Sequence, residues 1–498
     1  VSQDKATRAV GEPGRHPGAP LRVLLLVQRP EAWVNLASLW LAMRDGNAFS
    51  SEVWVLPYSI ENPAVSQQKL PLMRAVLASD GIPFHEWAQG EVVSPGQFDV
   101  VVLNHPYDRD RPRQLWVDRL KQVIPIMLYI PYGLVMAGGR KNLKLQFSQP
   151  TQIQATAVIA RSEHEKSLYR RHCPRGDGHV HVLGQPRFDH LMEALSRPVP
   201  GWLSDAIGGR CAILWNSHFS FGKSCSHGGN FSTFDLLGPE LLELVISRRE
   251  QLCLIWRPHP GLFPAIVAEG LLDQDEVSTL REELAALGMV LDESADHADA
   301  FNASDALLTD VGSFLLEYLA TGKPILSLVN VEGEPFNEEA SRLVAHYARA
   351  STSAEVAGFI HLVQSGAVDV TGLEHALADH LPMLDGFAGQ RVAQLMLELC
   401  GEISSSARPS RTKRGAMKVD RKLGDVRMKP GSTNSPTCIP PVLDKLMVGL
   451  RSLRAEKAEQ PGWEKAVRRR LNGLRVSLGE GVKRHPGLMD LARRLGKR

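Results

Sequence analysis

Residues 301–328 read FNASDALLTDVGSFLLEYLATGKPILSL, and the order of signals in them decides the fold. Ala306-Leu307-Leu308 is an apolar run of strand length ending in Thr309-Asp310. Val311-Gly312-Ser313 makes a tight turn and a helix follows from about Ser313. A Gly-Lys-Pro break then precedes a second apolar run, Ile325 to Leu328. Strand, turn, helix and strand in succession make a parallel pair with a helical crossover. The first turn of such a helix carries N–H groups with no partner inside the helix, so with the Ser313 hydroxyl it suits a phosphate or diphosphate. Gly312 lets the backbone come close to such a ligand. Glu317, four residues beyond Ser313 on the same face, is placed to reach a hydroxyl beside it. A helix cap built from Ser313 and Asp310 gives the same local pattern, so this stretch alone leaves both readings open.

The alternation extends in both directions. From 211 onward CAILWN, CLIWRP, GMVLD, DALLTD and KPILSLV read as strands, with helix-like stretches near 236–250, 276–287 and 313–321. Between 21 and 190 LRVLLLVQ, SEVWVLPY, FDVVVLNHPYD, IPIMLYIPYG, ATAVIARS and HVHVLGQPRFD read likewise. EAWVNLASLWLAMRD is an amphipathic helix with Trp33, Leu36, Leu39, Trp40 and Met43 on one face. SRPVPGWLSDAIGGR (196–210), rich in Pro and Gly, reads as a linker between two domains. The expected class is therefore α/β, with two Rossmann-like domains in tandem over 21–200 and 201–400. No strand is followed by G-x-G-x-x-G spacing, which gives no support to a dinucleotide, and no cofactor is expected.

Ligands of open α/β sheets lie beyond the carboxyl ends of the strands. In LIWRPHPGLF (254–263) a strand pattern runs directly into Arg257-Pro258-His259-Pro260, and the two prolines hold the cation and the imidazole on an extended exit. A Pro-rich turn with no further role has the same appearance. WNSHFSF ends another strand and offers Asn216, Ser217 and His218. With Thr309, Asp310 and Ser313, three polar strand exits converge in one domain and make a diphosphate pocket.

At 498 residues, 43% hydrophobic and 22% charged, the chain is an ordinary globular one of two or three domains. No apolar run reaches the ~18–20 residues of a membrane span. The first twenty residues are polar, hold Gly and Pro, and lack an apolar core of signal-peptide type, so 1–20 is expected to be disordered. The six cysteines show no C-x-x-C spacing, which argues against a structural zinc site and for a reducing compartment. His218, Cys225 and His227 fit no standard zinc ligand set, and no metal is expected.

Charge is divided unevenly. Residues 401–498 carry 24 Lys/Arg against 9 Asp/Glu, which leaves the first 400 at a net −13. Residues 401–440, polar and rich in Ser, Pro and Gly, read as a flexible basic linker. Residues 441–498 read as a basic amphipathic helical tail. Leu443, Leu446, Met447, Leu450 and Leu453 form one stripe; Trp463, Val467, Leu471 and Leu474 form another, beside Arg468, Arg469 and Arg470. Such helices suit an anionic membrane surface, or docking on the body or on another subunit. The tail lacks aromatic platforms or a known nucleic-acid motif, so nucleic acid is not an expected partner.

RPHP, then SDALLTDVGSFLLEYLATGKPIL, with GQPRFD upstream, resembles the CDP-glycerol glycerophosphotransferase family, which includes polyol-phosphate polymerases of teichoic acids and related capsule polymerases. The similarity spans roughly 20–350. It implies a glycosyltransferase-B arrangement, with the CDP-activated donor in the second domain and a lipid-linked or polysaccharide acceptor facing the first. It also implies that His259 contacts the donor diphosphate, that Ser313 and the amides at Gly312 bind its phosphates, and that Glu317 lies near the polyol or ribose. His218, Ser232-Thr233-Phe234, HPYD (105–108) and YIPYG (129–133) resemble motifs of a subset of the family.

Two departures stand out. The family's Thr-Asp-Tyr-Ser-Ser turn is Thr309-Asp310-Val311-Gly312-Ser313 here, one hydroxyl short. The Trp-His-Gly of the teichoic acid polymerases, whose histidine the resemblance implies as base, is replaced by YIPYG, without a histidine, so His105 and Tyr132 become the candidates for the catalytic base, with Tyr132 and Gly133 on the acceptor side. The expected activity is transfer of a polyol phosphate at the inner face of the cell membrane, in the cytoplasm. The alternatives are a nucleotide-sugar glycosyltransferase of the same fold and a non-catalytic module that binds a polymer or a membrane.

Overall fold

The computed structural model describes residues 19–406 apart from 45, 222–230, 270, 295 and 332. Two parallel sheets account for the strand patterns. The first holds β1 (Leu21–Val27), β2 (Phe49–Val55), β3 (His85–Glu86), β4 (Val100–Leu103), β5 (Ile126–Tyr129), β6 (Ala157–Ala160) and β7 (Val180–Val182), in the order β3-β2-β1-β4-β5-β6-β7. The second holds β8 (Cys211–Asn216), β9 (Leu252–Trp256), β10 (Val290–Leu291), β11 (Ala306–Thr309), β12 (Ile325–Leu328) and β13 (Ala348–Ala350), in the order β10-β9-β8-β11-β12-β13. The two orders follow one plan, and every pairing is parallel.

Central strands are apolar throughout because helices cover both faces. Ile213, Trp215, Leu254, Trp256 and Leu308 pack into one layer, while Leu214, Cys253, Ile255 and Leu307 pack into the other. This is the period-two alternation of a strand buried on both sides. The two tryptophans stack with ring centroids 5.0 Å apart, and Phe234 stacks on both at 5.9 Å.

Three local expectations are corrected. HVHVLGQPRFD is a strand only as far as Val182; Pro186 then opens the helix Pro186–Leu195, where its fixed φ and missing N–H suit the first turn. The segment 196–210 is not all linker, since Gly201–Ile207 is a helix that buries Leu203 and Ile207 in the second domain. EAWVNLASLWLAMRD is not one helix: a 3-10 turn, Pro30–Asn35, carries Trp33 and is followed by the α-helix Ala37–Arg44.

The chain then crosses back. The helix Ala388–Ser406 lies on the first domain, where Val392 and Met396 complete the core around β1 and the helix Ala37–Arg44. Asp189 fixes the crossing by accepting from the N–H groups of Ala388 (3.1 Å) and Gly389 (2.8 Å) and from the Ser38 hydroxyl (2.8 Å). A β-carbon at Gly389 would stand 2.5 Å from the Ser38 main chain, so only glycine fits. The helix runs into the first residues of the span read as a linker; the rest of 401–440, all of 441–498 and most of 1–20 lie outside the described residues. No helix among the described residues is long and apolar enough to cross a membrane.

The domains also meet through main chain. Gly138 donates to the Pro335 carbonyl (2.7 Å) and Asn337 to that of Met136 (2.8 Å). The Asn337 side-chain amide reaches the Val135 carbonyl at 2.7 Å.

Candidate active site at the strand ends

The strand order reverses direction between β8 and β11, the kind of place where ligands of open sheets lie. Asn216 ends β8 and Thr309 ends β11, and their side chains are joined by a Thr309 Oγ1–H to Asn216 Oδ1 bond of 3.1 Å. Asn216 Nδ2 donates to the Arg257 carbonyl at 2.9 Å, and the His259 N–H donates to the Ser217 carbonyl at 2.9 Å. The Ser217 hydroxyl accepts from Trp256 Nε1 at 2.9 Å. Asn216 and Ser217 therefore splice the ends of β8, β9 and β11 into one surface.

Asp310 lies beneath that surface, 1% exposed. Its carboxylate accepts from the N–H of His218 (2.8 Å), the N–H of Thr233 (3.1 Å), the Thr233 hydroxyl (2.5 Å) and the Ser232 hydroxyl (3.4 Å). Burial pushes its pKa up to about 6 against the pull of these donors. Asp310 is a tie that holds the His218 loop and the Ser232-Thr233 corner to the end of β11.

The two histidines meet at that surface, with ring centroids 5.3 Å apart. His259 Nδ1 accepts from the Gly261 N–H at 3.0 Å. His218 Nδ1 accepts from the Ser220 N–H (3.2 Å) and pairs with the Ser220 hydroxyl (2.7 Å), whose oxygen already accepts from the Phe231 N–H. With both Nδ1 atoms held as acceptors, each neutral ring carries its proton on Nε2. Desolvation, with the neighbouring imidazole, pushes His218 down to about 3. His259 is lowered too, by desolvation and against the opposing pull of Glu31 in the first domain, although the residue is exposed. The pair thus offers two neutral N–H donors.

Arg257 and Glu317 are placed differently from the expectation. The Arg257 guanidinium pairs with Asp292 (2.6 Å) and binds Ser294 through its hydroxyl (3.0 Å) and carbonyl (2.8 Å), so it fixes the loop after β10. Glu317 is 2% exposed and ion-paired with His297 (2.7 Å) and Arg187 (3.5 Å). Arg187 and His297, with the Ser313 hydroxyl, hold its carboxyl down at about 2 despite burial. Ser313 is accordingly turned toward Glu317. The expected helix from Ser313 is a single α-turn, Phe314–Glu317, continued by a 3-10 turn, Tyr318–Thr321.

A cavity of about 260 Å³ opens between the domains beside this surface. Gly312, Val311, His218 and Phe231 line it from the second domain, and Tyr132, Gly133 and Tyr107 from the first. The candidates of the donor and acceptor sides therefore share one space. His105 is not among the lining residues. It lies 2% exposed behind Tyr107 and Tyr132, at centroid distances of 5.0 and 5.3 Å, and burial beside Arg29 and Arg111 drives its pKa down to about 2. Arg187, His297 and Ser220 were not singled out from the sequence; the signal for Arg187 was present in GQPRFD, but nothing local marks the other two. Cys225 and His227 lie outside the described residues.

Solved structures of the same shape exist. A UDP-N-acetylglucosamine 2-epimerase matches with a TM-score of 0.53 at 15% identity, over 80% of this chain and 99% of that one. MnaA of S. aureus, in a co-structure with UDP, gives 0.51 at 16%, over 79% and 100%. A variant of the wall teichoic acid polymerase TagF gives 0.51 at 12%, over 78% and 90%. The chain has the glycosyltransferase-B fold. No family model matches the sequence, and no curated protein matches it either.

Proposed function

We propose that the chain is a transferase that moves a polyol phosphate from a CDP-activated donor to an acceptor in cell-surface polymer biosynthesis. The observation that carries this reading is the pair of Nε2–H donors of His218 and His259, set beside the Gly312–Ser313 turn at the reversal of strand order. Neutral N–H donors and turn amides suit the spread charge of a diphosphate. The TagF polymerase was solved with CDPG, and the family resemblance of RPHP and the Thr309–Ser313 turn points the same way. In the reaction an acceptor hydroxyl attacks the distal phosphorus in line, the new O–P bond forms, the bond to the CMP oxygen breaks, and the hydroxyl proton passes to solvent water. Positioning and charge neutralisation carry most of such a step. The basic tail would hold the enzyme on an anionic membrane, near a lipid-linked or polysaccharide acceptor.

A second reading, a nucleotide-sugar enzyme, is favoured by the MnaA co-structure, in which the nucleotide is UDP. Thermal melts with CDP, CMP, UDP and GDP on the wild type and His259→Ala separate them. A selective rise with CDP, lost in the variant, supports the CDP-polyol reading; preference for UDP or GDP moves the assignment to a sugar donor. No shift with any nucleotide leaves a binding module without a donor site.

A further inference from the structure

We propose that Arg29 supplies a donor contact from the first domain, its guanidinium binding the distal phosphate of the nucleoside diphosphate held by the second. The proposal rests on the transferase reading for the donor and adds a residue from the opposite lobe. A diphosphate in transfer needs its charge neutralised, and neutral N–H donors with turn amides do only part of that. Arg257, the cation expected there from the sequence, is held by Asp292 and Ser294. Arg29 stands in a matching place on the other lobe. The first sheet reverses its strand order between β1 and β4 as the second does between β8 and β11, and Arg29 follows β1 as His218 follows β8. Strand ends at such a reversal are where open sheets receive ligands.

The guanidinium is anchored but not used up. Its Nη1 donates to the Tyr58 hydroxyl at 2.6 Å, and its central carbon lies 4.4 Å from the centre of the Tyr58 ring. Asp110 and Glu31 approach only to 3.7 and 4.0 Å, too long for hydrogen bonds, and Asp110 is shared with Arg109 at 3.8 Å. Arg29 Nε is buried and has no hydrogen-bond partner among the described residues. A guanidinium carries five N–H donors in a planar fork that matches the oxygens of a phosphate. The same guanidinium lies 5.8 Å from the centre of the Tyr132 ring, and Tyr132 lines the cavity whose second-domain wall holds His218 and Gly312. Glu31, on the turn that Arg29 opens, pulls on His259 across that gap. The fork is thus fixed by Tyr58 at one nitrogen, beside the wall that faces His218, with donors left for an anion.

The test is calorimetry on the full chain with CDP and with CMP, which lacks the distal phosphate, for the wild type, Arg29→Gln, Arg29→Lys and Tyr58→Phe. In Arg29→Gln the affinity for CDP is expected to fall about tenfold or more while that for CMP changes by less than about threefold. Arg29→Lys, which keeps the charge without the fork, should fall between, and Tyr58→Phe should stay within about threefold of the wild type for both. Unchanged CDP binding in Arg29→Gln, or an equal loss for CDP and CMP, overturns the proposal. A loss in Tyr58→Phe as large as that in Arg29→Gln also overturns it, since Arg29 would then be a strut within its own lobe. Should Arg29→Gln not fold, the contrast between CDP and CMP is read in Arg29→Lys. A wild type that binds UDP and UMP in place of CDP and CMP removes the CDP reading alone, and the Arg29 contrast is then read on that pair. A wild type that binds no nucleotide removes the donor reading and this proposal with it.

Discussion

The rings of His218 and His259 stand 5.3 Å apart with both Nδ1 atoms turned into their own loops, so neither Nε2 is free to accept a proton. This fits the pair to donate hydrogen bonds and not to serve as a general base. Hydrogen bonds to a charged partner are worth about 1.5–3 kcal/mol. His218→Ala and His259→Ala are each expected to weaken nucleoside-diphosphate binding by roughly ten- to a hundredfold by calorimetry. Asparagine at 259, which keeps an N–H donor, should recover part of the loss.

Removing the charge of Glu317 leaves the buried Arg187 guanidinium without its carboxylate. Breaking one member of a buried pair costs about 3–5 kcal/mol. Glu317→Gln should lower unfolding stability in urea by that order. Because the folded pKa is depressed to about 2, the stabilisation is present above the ordinary Glu value and is lost as pH falls from about 4.5 toward 2. The variant should lack this acid limb.

His105 gives an acid sensitivity of the same sign that begins at a higher pH. Its two ring nitrogens have no hydrogen-bond partner, and the folded chain resists protonating it down to about 2, while the unfolded chain accepts the proton near 6.5. Stability should therefore fall with pH below about 6.5, by up to about 1.4 kcal/mol per pH unit from this residue. His105→Phe, which keeps a ring against Tyr107 and Tyr132, should flatten that slope by one proton in urea titrations at pH 7 and pH 4.5.

Gly138 sits where the two domains touch through main chain. A β-carbon there would lie 2.5 Å from the Phe336 carbonyl oxygen. Gly138→Ala should part the loops at 135–138 and 335–337, cost about 1–3 kcal/mol, and enlarge the radius of gyration seen by X-ray scattering. A variant that scatters like the wild type would contradict the assignment.

Legibility followed locality. The long apolar strands, the linked polar exits and the face formed by Trp33, Leu36, Leu39, Trp40 and Met43 were readable because each depends on a few adjacent residues. The partners of Arg257 and Glu317 were not, since Asp292, Arg187 and His297 approach them from distant segments. The tautomers of the histidines depend on Gly261 and Ser220, which look like loop filler in the sequence. Tyr132 and Gly133, singled out through the family resemblance, do line the interdomain cavity, whereas Glu165 and Gln146 come from helices whose cavity-facing sides carry no distinctive pattern.

The return of the last helix to the first domain has a mechanical consequence. The chain passes between the domains twice, once after the helix ending at Leu195 and once at Ala388, and Asp189 sits beside both passages. Two neighbouring tethers act as a hinge pin, and opening would then proceed as a swing about that line rather than a free tumble. Cutting the gene at 200 would not yield a sound half, because Val392 and Met396 would be stripped from the first core. The segment after Ser406 continues from a helix of the first domain, so it is tethered to that lobe and not to the second.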